Sequence, residues 1–150
     1  MVGIPNEESL NLQRLHHFAW KCRDIDETTA FYTGILGLPV THIIKEDYVP
    51  STGEYAPYTH IFFTMPDESS IAFFDLGDGK ATETTCDPWV VHFAFRVQDE
   101  KELLLAKAKL EQNGVDVIGP TDHGFIRSIY FFDPNNLRLE ITYDTGVNIQ

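Results

Sequence analysis

The stretch HFAFRVQD, residues 92–99, has a near copy in HFAWKCRD, residues 17–24. His, Phe, Ala and Asp recur at matched places, an offset of 75 residues (17 to 92). A duplication of this kind means that the fold is assembled from two like units. In each copy bulky apolar residues alternate with the rest: Phe18, Trp20 and Cys22 in one, Phe93, Phe95 and Val97 in the other. A period of two marks a half-buried strand, so His17, Ala19, Lys21 and His92, Ala94, Arg96 take the opposite face.

Outward from these strands, Asp24 and Asp99 are each placed to cap a helix, and the segments that follow carry helical periodicity ending at Gly37 and Gly114. Further on, HIFFTMPDESSIAFF (60–74) overlays SIYFFDPNNLRLEIT (128–142) at an offset of 68 (60 to 128), with Pro66 and Pro134 at the turns of two hairpins. The short strands PVTHII (39–44) and VDVIG (115–119) complete each half as βαβββ. The offset falls from 75 to 68, so the first half holds a connection longer by 75 − 68 = 7 residues, expected as a loop in KEDYVPSTGEYAPY (45–58). The class expected is α+β, one domain over 1–150 with modules at about 15–76 and 89–143 joined by GDGKATETTCDP (77–88).

Composition narrows the function. The 23 acids against 11 bases give a net charge of −12, a field that repels phosphate backbones and anionic lipid, so neither nucleic acid nor a membrane surface is an expected partner. The start MVGIPNEESLNLQRL lacks a basic stretch followed by an apolar one, and no run of about 18 apolar residues occurs, which makes the cytoplasm the expected location. Cys22 and Cys86 form no spaced metal or redox motif and receive no role.

One residue breaks the apolar pattern: Glu140, between Leu139 and Ile141. A carboxylate in a strand core needs a positive partner or a metal to offset its dehydration. The overlay puts Ala72 at the matching place in the first half. If the first strand of each half lies near the last strand of the second, His17, His92 and Glu140 converge on one concave face, two imidazoles and a carboxylate suited to a divalent metal. His16 is expected on the opposite face and His42 as a plain strand residue. The aromatic hairpins HIFF, IAFF and IYFF suit either a Phe-rich core or a pocket for a planar substrate.

These residues and the tandem βαβββ pattern resemble the vicinal oxygen chelate superfamily over about residues 15–143; that superfamily includes glyoxalase I, bleomycin- and fosfomycin-resistance proteins, methylmalonyl-CoA epimerases and type I extradiol dioxygenases. The resemblance implies a U-shaped mixed sheet around a metal held by His17, His92 and Glu140. Glyoxalase I and the epimerases use a fourth protein ligand where Ala72 stands. Extradiol dioxygenases leave that place without a ligand, and their signature is similar to His123, Ile129, Tyr130, Asp133, Pro134 and Glu140. Two positions depart from it. Asn136 stands where Gly or Pro is expected, in a turn whose left-handed geometry asparagine tolerates. Ser69 stands where those enzymes carry an acid/base histidine, leaving His60 or His123 for proton transfer.

The function this resemblance implies is an extradiol-dioxygenase-like oxidoreductase acting on a catechol-type or other vicinal-oxygen substrate with O2. Its cofactor is a divalent metal, Fe(II) ahead of Mn, Zn or Ni, and a homodimer is expected. Tyr130 reads as a phenol donating to bound substrate or as a hairpin core aromatic, and His123 sits in a glycine-bounded loop. A glyoxalase- or epimerase-type enzyme and a non-catalytic drug-binding protein are the alternatives.

Overall fold

Both copies of the duplicated stretch are strands, and each opens a βαβββ unit. The computed structural model describes residues 10–147, so residues 1–9 of the stretch read for a leader lie outside it. The first module holds β1 (His17–Cys22), α1 (Ile25–Thr29), a π-helical continuation (Ala30–Ile35), β2 (Val40–Tyr48), β3 (Tyr55–Thr64) and β4 (Ser70–Asp75). The second holds β5 (His92–Arg96), α2 (Glu100–Gln112), β6 (Ile118–Asp122), β7 (Ile126–Phe132) and β8 (Arg138–Asp144). The helix starts follow from the acids foreseen: Asp24 accepts from the amides of Asp26 and Glu27, and Asp99 from that of Glu102. The stops are at Gly37 (φ 77°) and Gly114 (φ 78°), conformations that glycine adopts without a Cβ penalty.

The strands form two mixed four-stranded sheets, ordered β1-β4-β3-β2 and β5-β8-β7-β6, with β1/β4 and β5/β8 parallel and the hairpins antiparallel. They share no backbone ladder; where β1 and β5 approach, the Phe18 and Phe93 rings meet edge to face, 4.3 Å apart. Part of the outer edge of β1 is taken by the linker, since Thr82 donates its amide to the Lys21 carbonyl at 3.0 Å. The apolar faces of both sheets turn onto one core, with Ile61, Phe63, Ile71 and Phe73 from the first and Ile129, Phe131, Leu139 and Ile141 from the second.

The matched turns confirm the overlay. Glu68 (φ 71°) and Asn136 (φ 61°) are left-handed residues at equivalent places in the β3–β4 and β7–β8 turns. The loop expected over 45–58 is corrected: it is the outer end of the β2–β3 hairpin, closed by a turn at 49–54. There Val49 donates to the Glu54 carbonyl, and the Tyr48 and Tyr55 rings pack 5.3 Å apart across the strands. The additional residues therefore lengthen β2 and β3 to 9 and 10 residues, against 5 and 7 for β6 and β7. β6 begins at Ile118, not Val115. Its register slips between Ile118 and Thr121, where a Cβ on Gly119 would stand 2.6 Å from the Ser128 carbonyl oxygen.

The modules dock through buried polar contacts as well as the core. The β7–β8 turn lies against α1: Tyr32 donates its hydroxyl to Asp133 Oδ2 at 2.9 Å, the Arg23 amide donates to Asn135 Oδ1 at 2.9 Å, and Asn135 Nδ2 donates to Thr28 Oγ1 at 3.1 Å. Burial pushes the Asp133 carboxyl up, opposed by the hydrogen bonds it accepts from the Leu137 amide and Tyr32. Tyr32→Phe removes a donor that serves the ionised form, and should cost about 1–3 kcal/mol of unfolding free energy at pH 7. Without that donor the folded-state carboxyl rises further above its unfolded value, so folded protein binds more protons and loses stability as pH climbs through that window. The deficit of the variant should accordingly shrink at acid pH, where Asp133 is protonated in both proteins. Urea unfolding at both pH values checks this; a deficit independent of pH would contradict it.

Candidate functional site

Glu140 is 4% exposed, in the middle of β8. Parallel pairing with β5 sets Ala94 beside it, and antiparallel pairing with β7 sets Tyr130 on its other side. Paired residues share a face, so His92, Ser128, Tyr130, Arg138 and Glu140 lie together. The carboxylate is held at both oxygens, Oε1 by His92 Nε2 at 2.9 Å and Oε2 by the Ser128 hydroxyl at 2.5 Å. Thr142 places its own hydroxyl 2.8 Å from that of Ser128. Here lies the compensation that a buried acid requires, and half of it comes from a serine that the sequence reading passed over.

The first module repeats this layout without the chemistry. Ala72 sits beside Ala19 as Glu140 sits beside Ala94, and Phe62 faces Ala72 as Tyr130 faces Glu140. Ala72 is fully buried, so the place of a fourth ligand is filled by a methyl group. His60 occupies the position matching Ser128. It is buried, donates Nδ1–H to the Phe73 carbonyl at 3.0 Å and stacks on Phe74 at 3.7 Å; burial pushes its pKa down. His60 thus stands on the opposite module from Tyr130.

Tyr130 and His123 do come together. The Tyr130 hydroxyl is 2.6 Å from His123 Nε2, and the Tyr130 ring is 6.2 Å from that of His92. Tyr130 is 8% exposed, and burial, then the neighbouring Glu140 charge, raise its pKa. The Arg138 guanidinium lies over the Tyr130 ring, 4.2 Å from its centre, a contact absent from the sequence reading although Arg138 has the same strand parity as Glu140. Ser69, in the β3–β4 turn, donates its hydroxyl to Asp67 at 2.6 Å.

The metal reading can be tested on His92. Its Nδ1 faces the Val90 carbonyl at 3.3 Å while Nε2 faces Glu140, so both ring nitrogens meet oxygen acceptors. A neutral imidazole has one N–H; with that proton on Nδ1 toward the Val90 carbonyl, the Nε2 lone pair is turned toward Glu140, the orientation of a metal-ligating imidazole. His17 is less advanced: its Nδ1 is 2.8 Å from that of His16 and its ring rests on Phe62 at 5.1 Å. His17 and His92 line one cleft of about 570 Å³ at the meeting of β1 and β5. Among the described residues no three His, Cys, Asp or Glu side chains gather closely enough to hold a metal ion. His92 and Glu140 are preassembled, and His17 lines the same cleft as His92. His16, expected away from this face, is exposed and touches His17; His42 lies 5.8 Å from Phe62 on β2. Both cysteines are free, and burial raises Cys22 to about 11.

The chain resembles several known proteins. The family profile "Glyoxalase/Bleomycin resistance protein/Dioxygenase superfamily" matches residues 14–141. A curated relative, biphenyl-2,3-diol 1,2-dioxygenase 3 of Rhodococcus globerulus, is 24% identical over 132 residues, 87% of this chain but 63% of the relative's length. Among solved structures, a glyoxylase/bleomycin resistance protein/dioxygenase domain from Frankia sp. EAN1pec superposes with a TM-score of 0.73 at 19% identity, covering 91% of this chain and 95% of that one. A point mutant of the fosfomycin resistance protein FosX of Listeria monocytogenes, solved with Mn(II) and 1S,2S-dihydroxypropylphosphonic acid, gives 0.63 at 22% identity, covering 91% and 94%. At these identities the structures establish the fold alone. Duplicated modules, matched registers and a profile spanning nearly the whole chain lead to one conclusion: this chain belongs to the glyoxalase/bleomycin resistance/dioxygenase superfamily.

Proposed function

We propose that this protein is a metal-dependent oxidoreductase of the extradiol type, acting on a small substrate with two adjacent oxygens and on O2. The observation that carries the reading is the phenol–imidazole pair Tyr130–His123, at 2.6 Å, in which Tyr130 stands on the strand paired with Glu140 of the preassembled His92–Glu140 pair. A proton-handling pair beside ligand-type groups is what chemistry on an ionisable diol needs. The resemblance to a Rhodococcus dioxygenase supports it, although this chain spans only 63% of that protein.

His17, His92 and Glu140 would hold the metal. A divalent cation there supplies Lewis-acid charge to a coordinated phenol and, in the case of Fe(II), a redox route between substrate and O2. Tyr130, kept protonated by burial and by Glu140, is a donor at neutral pH. His123 Nε2 is its proton partner and reaches the site from an exposed segment after β6. Ser128 fixes the Glu140 carboxylate so that its other oxygen faces His92. Ala72 adds no ligand, which weighs against a glyoxalase- or epimerase-type set. One observation favours a binding-only role as the second reading: among the described residues, the three ligand-type groups are not gathered in one cluster.

The readings separate on metal content and O2 consumption. Protein loaded anaerobically with Fe(II) should retain the metal stoichiometrically, and His17→Ala, His92→Ala and Glu140→Ala should each weaken retention by about tenfold or more. Full retention by Glu140→Ala would overturn the ligand set. With a catechol panel and an oxygen electrode, Tyr130→Phe should lower turnover by about 10- to 1000-fold with metal content unchanged. Unchanged kinetics together with a lowered melting temperature would return Tyr130 to the hairpin core.

A further inference from the structure

Five arginines occur in the chain, and four of them hold a carboxylate: Arg14 with Glu68, Arg23 with Glu27, Arg96 with Asp144, and Arg127 with Glu100. Arg138 holds none among the described residues, in a chain where acids outnumber bases 23 to 11. Its place is equally specific. Arg138 pairs with His92 in the β5–β8 register and shares the face of Glu140 and Tyr130. The guanidinium carbon lies over the Tyr130 ring, 4.2 Å from its centre, a cation–π contact that tethers the group beside Tyr130. A planar fork of donors held in this way matches a carboxylate with two parallel hydrogen bonds. A lysine could not be oriented by stacking in the same manner.

We propose that Arg138 is the anion-binding group of the site and selects a substrate that carries a carboxylate on its ring. The inference rests on the site reading above and deepens it by naming the substrate class: an aromatic carboxylate, of the dihydroxybenzoate type where the adjacent hydroxyls are present. The stacked guanidinium seats the carboxylate next to Tyr130, and the ring then extends toward His92 and Glu140. Arg138 is a specificity-determining residue and takes no part in proton transfer.

Isothermal titration of the full chain with matched charged and neutral probes tests this. Benzoate against benzamide isolates the anion contact without chelating oxygens; 2,3-dihydroxybenzoate against 2,3-dihydroxybenzamide repeats it on the Fe(II)-loaded protein. Wild type should prefer the carboxylate in both pairs by about tenfold or more, the size of one charge-assisted contact in a partly desolvated site. Arg138→Gln should erase the preference and Arg138→Lys should keep part of it. Absence of preference in the wild type, or its survival in a folded Arg138→Gln protein, overturns the proposal. Should Arg138→Gln fail to fold, the wild-type preference and its reduction in Arg138→Lys decide the matter. A benzoate preference without any catechol oxidation would remove the ring-cleaving reading and leave the anion site standing; catechol oxidation without a carboxylate preference would do the reverse.

Discussion

A carboxylate that is 4% exposed inside a sheet is the constraint around which the second module is arranged. Removing one ion from water costs several kcal/mol even after the protein relaxes, so Glu140 is tolerable only with both oxygens engaged. Hydrogen bonds to a charged group return about 1.5–3 kcal/mol each, and two of them offset a penalty of that order. The registers fix where those donors come from. Parallel pairing puts Ala94 beside Glu140 and His92 two residues earlier on the same face, while antiparallel pairing puts Tyr130 opposite and Ser128 two residues before it. A one-residue slip of either strand would send its donor to the apolar face. The strand geometry and the electrostatics therefore specify each other.

The duplicated modules show how one backbone pattern divides its labour. At matched places the first module has Ala72, Phe62 and His60, and the second Glu140, Tyr130 and Ser128. The polar set is joined by hydrogen bonds to His92 and His123; the other set is packed with aromatic rings. Three imidazoles surround the Phe62 ring, with His17 at 5.1 Å, His42 at 5.8 Å and His60 at 4.6 Å, and His60 in turn stacks on Phe74. Such a surface offers flat, weakly polar contact to a planar guest. Because register holds Cα positions constant while side chains diverge, a wall and a reactive floor can face each other with no change of topology.

Much of this was legible in the sequence because the signals were periodic. Alternation at 17–22 and 92–96 marks the strands, and the offset of 68 matches Ala72 to Glu140, which the registers bear out by setting Ala72 beside Ala19 and Glu140 beside Ala94. The acids at Asp24 and Asp99 and the glycines at Gly37 and Gly114 marked the helix limits through capping chemistry. Tyr130 and His123, two separate candidates in the sequence, are in contact through the Tyr130 hydroxyl. What escaped depended on contacts that have no period. The Val49–Glu54 turn is rich in turn-forming residues, which hid that its flanks pair as strands through Tyr48 and Tyr55. Arg138 stacks on a neighbour known only from the register, and Ser128 bonds an acid twelve residues away. Residue type alone makes His60 a candidate for proton transfer, whereas its Nδ1–H is committed to the Phe73 carbonyl within the first module.

The docking of the modules links the fold to the site. β1 and β5 share no ladder, so the position of His17 relative to His92 and Glu140 is set by side chains: Phe18 against Phe93, and the β7–β8 turn against α1 through Tyr32, Asp133, Arg23, Asn135 and Thr28. The turn that makes these contacts leads directly into β8, which carries Arg138 and Glu140. On the proposed ligand set a cation would be held by both modules at once, and part of its binding free energy would be free energy of docking. The hydrogen bonds that join the modules on the helix side would then also bear on the placement of His17, because the polar turn and Glu140 belong to one β7–β8 hairpin.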